Sequence, residues 1–551
     1  MKPPSHLRPY AGRWIALVQN RVAGVGLTAE AARTAAQLSR PKEKSQVIFV
    51  PNHPPLEFPD FIAEIRQALP VNLPIWLVGG AIRDALLGCR LRDLDFAVEG
   101  DALAAARAVA AALQAAFYPL DNERDVGRVL FTREGTRFTL DFARLRGTDL
   151  TADLAARDFT LNALAAPLTD LEELLDPLGG EADLRGKVIR ACSPHAIADD
   201  PVRGVRAIRL AAQLNFRIEK ETRTAIRAQA AKLTQTSVER QRDEFIRCLG
   251  GPRPGAALRA LEMLGLLDKL APETSPLKGE TQSPPHVFDV WEHTLAVITR
   301  LEEVLTVLAP RHDVDAASEL TLGLVSVQLG RHRQVLAQHL NNLISSDRPA
   351  RWLLMLAALL HDIGKPGTRS VEPAPRGRIR FFNHDLLGAE MAARRLNRLH
   401  FSGDEVKRTQ TIVAHHLRPL LLAQEPELTR RAIYRFFRDT GEAGVDIVLL
   451  SLADVLATYG DGPPPQDEWA RQVEVCAKLL GAYFESPAET ILPPPLINGH
   501  DLITEFGMEA GPEVGKLLEA IREAQAAGEI TDRAAALDYA RQHLGKASNQ
   551  S

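Results

Sequence analysis

Two aspartates separated by one residue are the first feature of this sequence that could perform chemistry. Asp93 and Asp95 alternate with the apolar Leu94 and Phe96 in the stretch DLDFAV. In a β-strand this alternation places both carboxylates on one face and the apolar side chains on the other. Two like charges at this spacing are unfavourable unless a cation lies between them. The stretch therefore predicts a metal site.

Other residues could complete a phosphoryl-transfer site around this pair. Such a site needs carboxylates on rigid strands and donors that hold a triphosphate. Asp141, in TLDFARLR, is a third carboxylate on a later hairpin. Gly79 and Gly80 end an apolar strand, where backbone N–H groups can approach phosphate oxygens, and Arg83 adds positive charge. A Gly-Gly pair or an Asp-x-Asp alone is more typical of a turn or a surface pair, but their order here indicates nucleotidyl transfer.

A second set of candidate residues combines histidines with aspartates. Its members are His293, His361, Asp362, His384, His415, His416 and Asp454. His361 and Asp362 follow the apolar run WLLMLAALL, where two such groups are costly to bury without a ligand. Imidazoles and carboxylates from several helices suit a divalent transition metal such as Mn²⁺, Ni²⁺ or Fe²⁺. Each histidine alone is typical of a hydrogen-bonded core residue, whereas the whole set predicts a metal centre.

Length and composition indicate several domains and no membrane segment. A chain of 551 residues exceeds one hydrophobic core, so we expect three to five domains. The net charge of −4 gives no bulk basic character, although RGVRAIR and ERQRDEFIR are candidate RNA contacts as well as ordinary solvated helix faces. The four cysteines are far apart, which is typical of reduced thiols in a cytoplasmic protein. No apolar run reaches the ~18 residues of a membrane span.

The elements that must position these residues define the expected fold. Strand-like and helix-like stretches alternate from 58 to 190, which predicts a small α/β head, and the later sequence is helical. Residues 11–40 predict a hairpin with a Gln-Asn turn and then a helix capped by Thr28. The predicted multidomain layout is a small ββα module (1–50), the head (58–190), an all-α neck (191–275), a helical domain with the histidines (286–460) and a helical tail (461–551).

Residues from about 60 to 275 resemble one enzyme family. GGAIRDALLGCRLRDLDFAV (79–98) resembles motif A of the class II tRNA nucleotidyltransferase and bacterial poly(A) polymerase family, which has a polymerase-beta-like head. Four later stretches resemble motifs B to E of the same family, in this order: RDFTLNALA (157–165), DPLGGEADLRGKVIR (176–190), DDPVRGVRAIRLAAQLNF (199–216) and SVERQRDEFIRCLGG (237–251). Five motifs in order make a coincidence implausible.

The resemblance implies a role for each matching head residue. Asp93 and Asp95 would bind catalytic Mg²⁺, and Asp141 would help to activate the attacking 3′-hydroxyl. The nucleotide would be held by Gly79, Gly80, Arg83, Arg157, Asp158 and Asn162. Motif B often has Arg before its Arg-Asp, whereas this chain has Ala156, which leaves the details of nucleotide selection open.

The motif D residues are implied to read the incoming base. Asp200, Arg203 and Arg206 belong to this nucleotide-binding set, and Arg with Asp offers donors and acceptors that can match a base edge. A wrong base would leave buried polar groups unpaired, at ~1–3 kcal/mol each. Asp199 replaces the usual Glu. An i,i+3 ion pair is the structural alternative for Asp200 and Arg203.

The neck and the tail each leave a structural alternative. In SVER, we expect Glu239 and Arg240 to be structural, in a helix capped by Ser237. The tail resembles the C-terminal region of many tRNA nucleotidyltransferases. Its GPEVG segment could meet an RNA phosphate or could be a plain helix start with Pro512 in the first turn.

The order of the second set resembles the HD phosphohydrolase superfamily, including the Gly-Lys in HDIGKP. His293, His361, Asp362 and Asp454 match its core ligands. The remaining histidines, His384, His415 and His416, match the extra ligands of versions with a second metal. Because some members keep this fold without activity, the resemblance implies metal binding and leaves hydrolysis open.

The expected function is template-independent addition of CCA, or part of it, to the 3′ acceptor end of tRNA from CTP and ATP. The HD region would trim RNA 3′ ends. Poly(A) synthesis and CC-only or A-only addition share the same motifs. A protein that is chiefly an HD phosphohydrolase, or only an RNA-binding scaffold, would be expected to lose the head carboxylates, which are intact. Oligomeric state and the role of the N-terminal module are not predicted.

Overall fold

Strands fall mainly in the first 220 residues, and helices dominate the rest of the chain. The computed structural model describes residues 10, 12–19, 21–50, 56–311, 319–345, 347–373, 377–491 and 493–548. The chain divides into two compact units: Met1–Asp199 with Phe216–Ala225, and Asp200–Asn215 with Ile226–Ser551. The expected multidomain, mostly helical architecture with a mixed-sheet head is confirmed.

The strands are β1 Arg13–Val18, β2 Arg21–Gly26, β3 Gln46–Val50, β4 Ile75–Val78, β5 Asp93–Val98, β6 Ala116–Asp121, β7 Val126–Arg133, β8 Thr136–Arg144, β9 Ala165–Pro167, β10 Val188–Ile189, β11 Arg217–Ile218, β12 Leu343–Ser345, β13 Arg348–Pro349, β14 Arg369–Val371 and β15 Ile379–Phe381.

The helices are α1 Ala29–Ser39, α2 Ile62–Ala68, α3 Gly80–Leu86, α4 Ala102–Ala112, α5 Leu150–Ala155, α6 Gly180–Arg185, α7 Ala196–Asp199, α8 Val202–Leu214, α9 Lys220–Gln229, α10 Val238–Gly250, α11 Pro254–Met263, α12 Leu267–Leu270, α13 Val290–Val307, α14 Leu320–Leu329, α15 Arg333–Asn341, α16 Ala350–Leu360, α17 Lys365–Thr368, α18 His384–Arg398, α19 Gly403–His415, α20 Arg418–Gln424, α21 Arg430–Thr440, α22 Ala443–Thr458, α23 Gln466–Phe484, α24 Pro487–Thr490, α25 Gly499–Phe506, α26 Pro512–Ala526 and α27 Arg533–Ser548.

The N-terminal module contains one more strand than the sequence indicated. The hairpin of β1 and β2 forms as expected, and Thr28 caps α1 by accepting a hydrogen bond from the Ala31 N–H at 3.1 Å. Asn20, in the predicted turn, lies outside the described residues. β3 adds to the free edge of β1, which gives an antiparallel sheet in the order β2-β1-β3. The extra strand satisfies backbone groups that a lone hairpin leaves unpaired.

The head is a six-stranded mixed sheet in the order β6-β7-β8-β5-β4-β9. β5 and β8 are parallel, and the other neighbouring strands are antiparallel. The predicted β7–β8 hairpin is present, whereas β6 and β9 were not predicted. α4 is capped by Asp101 and ends at Ala112, before the end of the predicted helical stretch, because β6 starts at Ala116 and pairs with β7.

The two faces of the head sheet differ in what covers them. Leu94 and Phe96 belong to a large core that also includes residues of α2 and α4, and the Phe96 and Phe142 rings stack with centroids 4.7 Å apart. On the opposite face of β5, Ala97 packs with Leu154. Asp93 and Asp95 share this second face, as the alternation predicted.

The second unit is built around the apolar helix α16. Nine of its side chains, from Ala350 to Leu360, are buried. α13, α19 and α22 pack around it, and the short pairs β12–β13 and β14–β15 are antiparallel. α25, α26 and α27 share a smaller apolar core, and Pro512 begins α26 as expected. Among the described residues, no helix has the length and apolar composition to cross a membrane.

We predict that Phe142→Ala weakens the head sheet selectively. Phe142 is 0% exposed, and deleting a buried phenyl group costs about 3–5 kcal/mol. Hydrogen-exchange mass spectrometry should show an opening free energy lowered by that amount in β5 and β8 peptides. The control is Phe382→Ala, whose ring is 70% exposed. Equal protection in the two variants would contradict the assigned core.

Candidate functional site

Three carboxylates meet on one face of the head sheet. Asp93 and Asp95 lie at the start of β5, where Asp93 is exposed and Asp95 is partly buried. In the parallel pairing of β5 with β8, Asp95 lies directly beside Asp141. Directly paired residues project from the same face of a sheet, so the structure brings together the three acidic residues that the sequence singled out.

The carboxylate cluster is under electrostatic strain without a cation. The pKa of Asp95 is raised from 3.8 to about 6, mainly by burial and also by the neighbouring charges of Asp141 and Asp93, against the attraction of Arg157. The donors are all carboxylate oxygens, which are the ligands that Mg²⁺ prefers. The residues present therefore fit a magnesium site.

A glycine turn joins β4 to α3 beside this cluster. Gly79 has φ +75°, a conformation that side chains rarely adopt, and a Cβ there would lie 3.1 Å from Nη1 of Arg157. Gly80 begins α3. The Gly79 N–H donates to the carbonyl oxygen of Leu164 at 3.0 Å, so the backbone N–H groups that an approaching phosphate can reach begin at Gly80.

Hydrogen bonds hold the implied nucleotide-binding residues of the head in two groups. Arg83 donates from Nη1 to Oδ1 of Asn162 at 2.7 Å, and Nδ2 of Asn162 donates to Oδ1 of Asp158 at 3.0 Å. Arg157 donates to Oδ2 of Asp153 through Nε and Nη2, at 3.1 and 3.0 Å. These contacts hold the side chains in one arrangement near the glycine turn.

Arg128 is a head residue that the sequence reasoning missed. Its Nε and Nη2 donate to Oδ1 and Oδ2 of Asp141, both at 2.8 Å. The hydrogen bonds to Asp141 raise the pKa of Arg128, as do the charges of the nearby carboxylates. GRVLF contains no spacing signal that points to Asp141, because the contact depends on the cross-strand register of β7 and β8.

The expected base-reading residues lie in the second unit. Asp200 accepts a hydrogen bond from Nη2 of Arg240 at 2.5 Å, and Nε of Arg203 lies 3.8 Å from the same oxygen. Nε of Arg206 donates to Glu244 at 2.7 Å. The structural alternative for Asp200 therefore involves Arg240 more closely than Arg203. Ser237 caps α10, as expected.

Two groups of potential metal ligands lie in the helical bundle of the second unit. One comprises His293, His361 and Asp454, and the other Asp362, His384 and His416. Within each group the ligand atoms lie within 4.8 Å of one another. His415 ends α19 and belongs to neither group. The structure thus assembles six of the seven residues that the sequence indicated.

Backbone contacts orient three of these histidines toward the centre. The Nδ1 atoms of His361, His384 and His416 lie 2.8, 2.7 and 2.7 Å from the carbonyl oxygens of Ala358, Phe381 and Val413. An Nδ1–H that donates to a carbonyl leaves Nε2 as the lone pair available to a metal. The Nε2 atoms of His361 and His384 are buried without a hydrogen-bond partner among the described residues.

The bundle site balances its buried charges internally. Burial alone would raise the pKa of Asp362, but His361 and Lys365 hold it well below its ordinary value. Burial opposes protonation of His361, yet Asp362 raises its pKa overall. Metal-ligand chemistry fits this donor set, since a bound cation replaces the proton on histidine as the countercharge.

A cavity of about 830 Å³ opens beside these ligands. Its wall includes the basic residues Lys365, Arg378, Arg380 and Arg471, the aromatic residues Phe381 and Tyr459, and the apolar residues Leu417, Leu420 and Val455. His286 also faces the cavity, and burial lowers its pKa to about 4. The sequence reasoning missed His286, which lies seven residues before His293 and resembles an ordinary loop residue without the fold.

Matches to known family models cover most of the chain. Residues 75–190 match the poly A polymerase head domain, and 215–278 match the probable RNA and SrmB-binding site of polymerase A. Residues 326–459 match the HD domain, and 493–540 match a putative domain 2 of tRNA nucleotidyltransferases.

Two curated relatives align over most of their length. The A-adding tRNA nucleotidyltransferase of Deinococcus radiodurans is 36% identical over 82% of this chain and 92% of its own. The CC-adding tRNA nucleotidyltransferase of Thermus thermophilus is 34% identical over 82% of this chain and 90% of its own. A solved CCA-adding enzyme in complex with CTP has the same fold, with a TM-score of 0.56 at 20% identity over 89% of this chain and 96% of that chain.

The fold and the carboxylate row formed by Asp93, Asp95 and Asp141 define a nucleotidyltransferase head joined to a helical HD domain. The chain belongs to the tRNA nucleotidyltransferase family that carries the poly(A) polymerase head, as the sequence resemblance indicated. It is an enzyme of the nucleotidyltransferase class.

We predict that Asp95→Asn stabilises the metal-free head at alkaline pH. The folded chain keeps the Asp95 proton up to about pH 6, whereas the unfolded chain releases it near 3.8. The stability contribution of this proton is therefore full below about pH 4 and is lost as the pH rises through 6. In EDTA, calorimetry should show a higher melting temperature for the variant at pH 8 and little change at pH 4. Asp93→Asn, at an exposed position, should show a smaller gain, and a pH-independent effect of Asp95→Asn would contradict the assignment.

Proposed function

We propose that this enzyme adds part of the CCA sequence to the 3′ end of tRNA, using CTP or ATP. The observation that carries the proposal is the row of Asp93, Asp95 and Asp141 beside a glycine turn and Arg83. Partial addition is preferred because the two relatives that align over 82% of the chain are named for adding A and for adding CC. Complete CCA addition and poly(A) synthesis are the alternatives within the family.

The head residues divide the transfer reaction between them. Mg²⁺ held by Asp93 and Asp95 would supply positive charge for the attacking and leaving oxygens. The N–H group of Gly80 at the start of α3 and the guanidinium of Arg83 bind the triphosphate and orient its α-phosphate. Gly79, whose own N–H donates to the carbonyl oxygen of Leu164 at 3.0 Å, forms the turn that lets the phosphate approach. Asp141 accepts a hydrogen bond from the attacking 3′-hydroxyl, which aligns the oxygen for in-line displacement of pyrophosphate.

Other side chains would define the nucleotide pocket and select the base. Arg157, Asp158 and Asn162 shape the side of the pocket next to the glycine turn. Asp200 and Arg203 present acceptor and donor groups to the base edge, with Arg206 contributing to the same motif. Support for these assignments comes from the motif match and, in the head, from the hydrogen-bond network that orders the side chains.

The remaining modules would hold the tRNA. We assign the head to 58–190, an RNA-binding neck to 191–275, the HD domain to 286–460 and a tRNA-binding tail to 461–551, with a small module at 1–50. A-form RNA is recognised through its shape and phosphates more than through its sequence. The matches of 215–278 and 493–540 to RNA-binding and tRNA nucleotidyltransferase models support this division.

The HD domain would act as a metal-dependent phosphohydrolase on RNA 3′ ends. His293, His361, Asp362, His384, His416 and Asp454 would hold one or two divalent ions such as Mn²⁺, Ni²⁺ or Fe²⁺. A bound ion of this kind would supply a nucleophile from water at neutral pH. The cavity wall carries basic residues together with the acidic residues Asp467 and Glu468, and its basic residue Arg378 would contact the phosphate ester.

Nucleotide addition is tested with tRNA transcripts that end before CCA or after CC. The full-length protein receives CTP, ATP or both with Mg²⁺, and the 3′ ends are sequenced. We expect either CC on the first transcript or A on the second, and not both. Asp95→Asn should lower kcat by at least about 10²-fold, the cost of removing one group that stabilises transition-state charge.

The control for this assay is Asp170→Asn, which changes an exposed turn carboxylate of the head and should leave addition intact. Transcripts that end in complete CCA would show that the enzyme adds the whole sequence and not a part of it. Long A tails would identify a poly(A) polymerase. No extension of either transcript would contradict the transferase function.

Metal binding in the HD domain is tested with two adjacent histidines. His416→Ala should lose bound Mn²⁺ and hydrolysis of a 3′-phosphate or cyclic phosphate on tRNA, since it removes a buried ligand. His415→Ala, which changes the neighbouring histidine outside both ligand groups, should retain both. Metal content is measured by mass spectrometry in an Asp93→Asn, Asp95→Asn background. Equal losses in the two histidine variants would contradict the proposed ligand set.

A further inference from the structure

An arginine occupies the position next to the third carboxylate of the head. The antiparallel register of β7 and β8 places Arg128 directly opposite Asp141. The parallel register of β8 and β5 places Asp141 directly beside Asp95. Since paired residues project from the same face, Asp95, Asp141 and Arg128 lie side by side on three adjacent strands.

Arg128 holds both oxygens of Asp141. The two hydrogen bonds, from Nε to Oδ1 and from Nη2 to Oδ2, are each 2.8 Å long. This fork-to-carboxylate geometry engages one lone pair on each oxygen and holds the carboxylate in one orientation. Arg157 acts on Asp95 through its charge, whereas Arg128 holds Asp141 by two hydrogen bonds, so the three acidic groups are not equivalent.

The guanidinium also changes the charge that a metal ion meets. Three carboxylates would carry a charge of −3, and Arg128 reduces this to −2 while neutralising the Asp141 side of the row. An ion that approaches Asp93 and Asp95 therefore meets a third carboxylate whose charge is already compensated. A lysine at this position could supply the positive charge but not the planar, bidentate pair of hydrogen bonds.

We propose that Arg128 is a positioning residue that keeps Asp141 out of metal ligation and reserves it for the attacking 3′-hydroxyl of the RNA. The inference rests on the proposed transferase function of the head. Asp93 and Asp95 hold the metal, whereas Asp141 and Arg128 act as one unit that orients the RNA terminus. Arg128 thereby determines which of the three carboxylates serves the metal and which serves the substrate.

This division of roles makes the effects of two substitutions non-additive. With Arg128 present, Asp141→Asn should change metal affinity little, because that carboxylate is already neutralised. In an Arg128→Gln background, Asp141 is free to join the metal, so adding Asp141→Asn should weaken metal binding clearly. A double-mutant cycle on metal affinity measures this coupling directly.

The experiment measures Mn²⁺ binding to the full-length protein by electron paramagnetic resonance. An Asp93→Asn, Asp95→Asn variant, which keeps the HD ligands, provides the blank for the head site. Arg128→Gln should bind Mn²⁺ about tenfold more tightly, because a repelling cation is removed and a carboxylate is freed. Its kcat for nucleotide addition should fall about tenfold, since the 3′-hydroxyl loses its oriented acceptor.

Arg133→Gln is a matched control on the same strand. Arg133 forms an equivalent two-point ion pair with Glu64, at 2.6 and 2.9 Å, away from the carboxylate row. The Arg128 and Arg133 side chains are 39% and 38% exposed. The control should change neither Mn²⁺ affinity nor kcat. A purely structural role for Arg128 would instead weaken metal binding and lower kcat together.

The two failures are distinguishable. If the wild-type protein adds nucleotides but the Arg128→Gln variant binds Mn²⁺ no more tightly than wild type, only the role of Arg128 is overturned. A wild-type protein without nucleotide addition and without Mn²⁺ bound in the head would contradict the proposed function itself. If Arg128→Gln does not fold, the Arg128→Lys variant tests the role of Arg128 instead. We expect this variant to bind Mn²⁺ within about twofold of wild type and to have a reduced kcat. Wild-type kcat in that variant would show that the bidentate pair of hydrogen bonds is not needed.

Discussion

The pairing of β5 with β8 is the constraint on which the head depends. These two strands are the parallel neighbours in an otherwise antiparallel sheet, and their register brings Asp95 beside Asp141. The apolar residues that follow the carboxylates hold this register, because Phe96 and Phe142 stack in the core on the other face of the sheet. A slip of one residue would move the acidic side chains into that core and the phenyl rings into solvent. Packing on one face of the sheet therefore positions the chemistry on the other.

The helical domain solves a related problem with different means. It buries charged and polar ligands at the end of α16, an apolar helix, and each of them needs a partner there. Backbone carbonyls take the Nδ1 side of three histidines, and Lys365 lies 2.6 Å from Oδ2 of Asp362. For these three histidines the Nδ1 atoms are thereby satisfied and the Nε2 atoms are left for a cation. In both units, a rigid apolar core holds together polar and charged groups that would otherwise be unfavourable to bury or to place side by side.

Much of each site could be predicted from short-range patterns, and the exceptions have physical causes. Asp93 and Asp95 were predictable because a period of two assigns them to one face of a strand. His415 and His416 could not be separated, since neighbouring residues on a helix differ in direction by about 100° and the sequence does not show which direction faces the centre. Strands β6 and β9 were missed because they form only by adding to edges that other strands provide.

Three things could be predicted from the sequence by itself: the residues able to do chemistry, the strand that carries Asp93 and Asp95, and the family to which the chain belongs. These depend on local spacing and on ordered motifs, which are readable without coordinates. The tertiary structure alone decided the pairing of Arg128 with Asp141, the exclusion of His415 from the ligand groups and the place of His286 at the cavity. Each of these relations joins residues through cross-strand register or helix packing, and sequence spacing carries no information about such contacts.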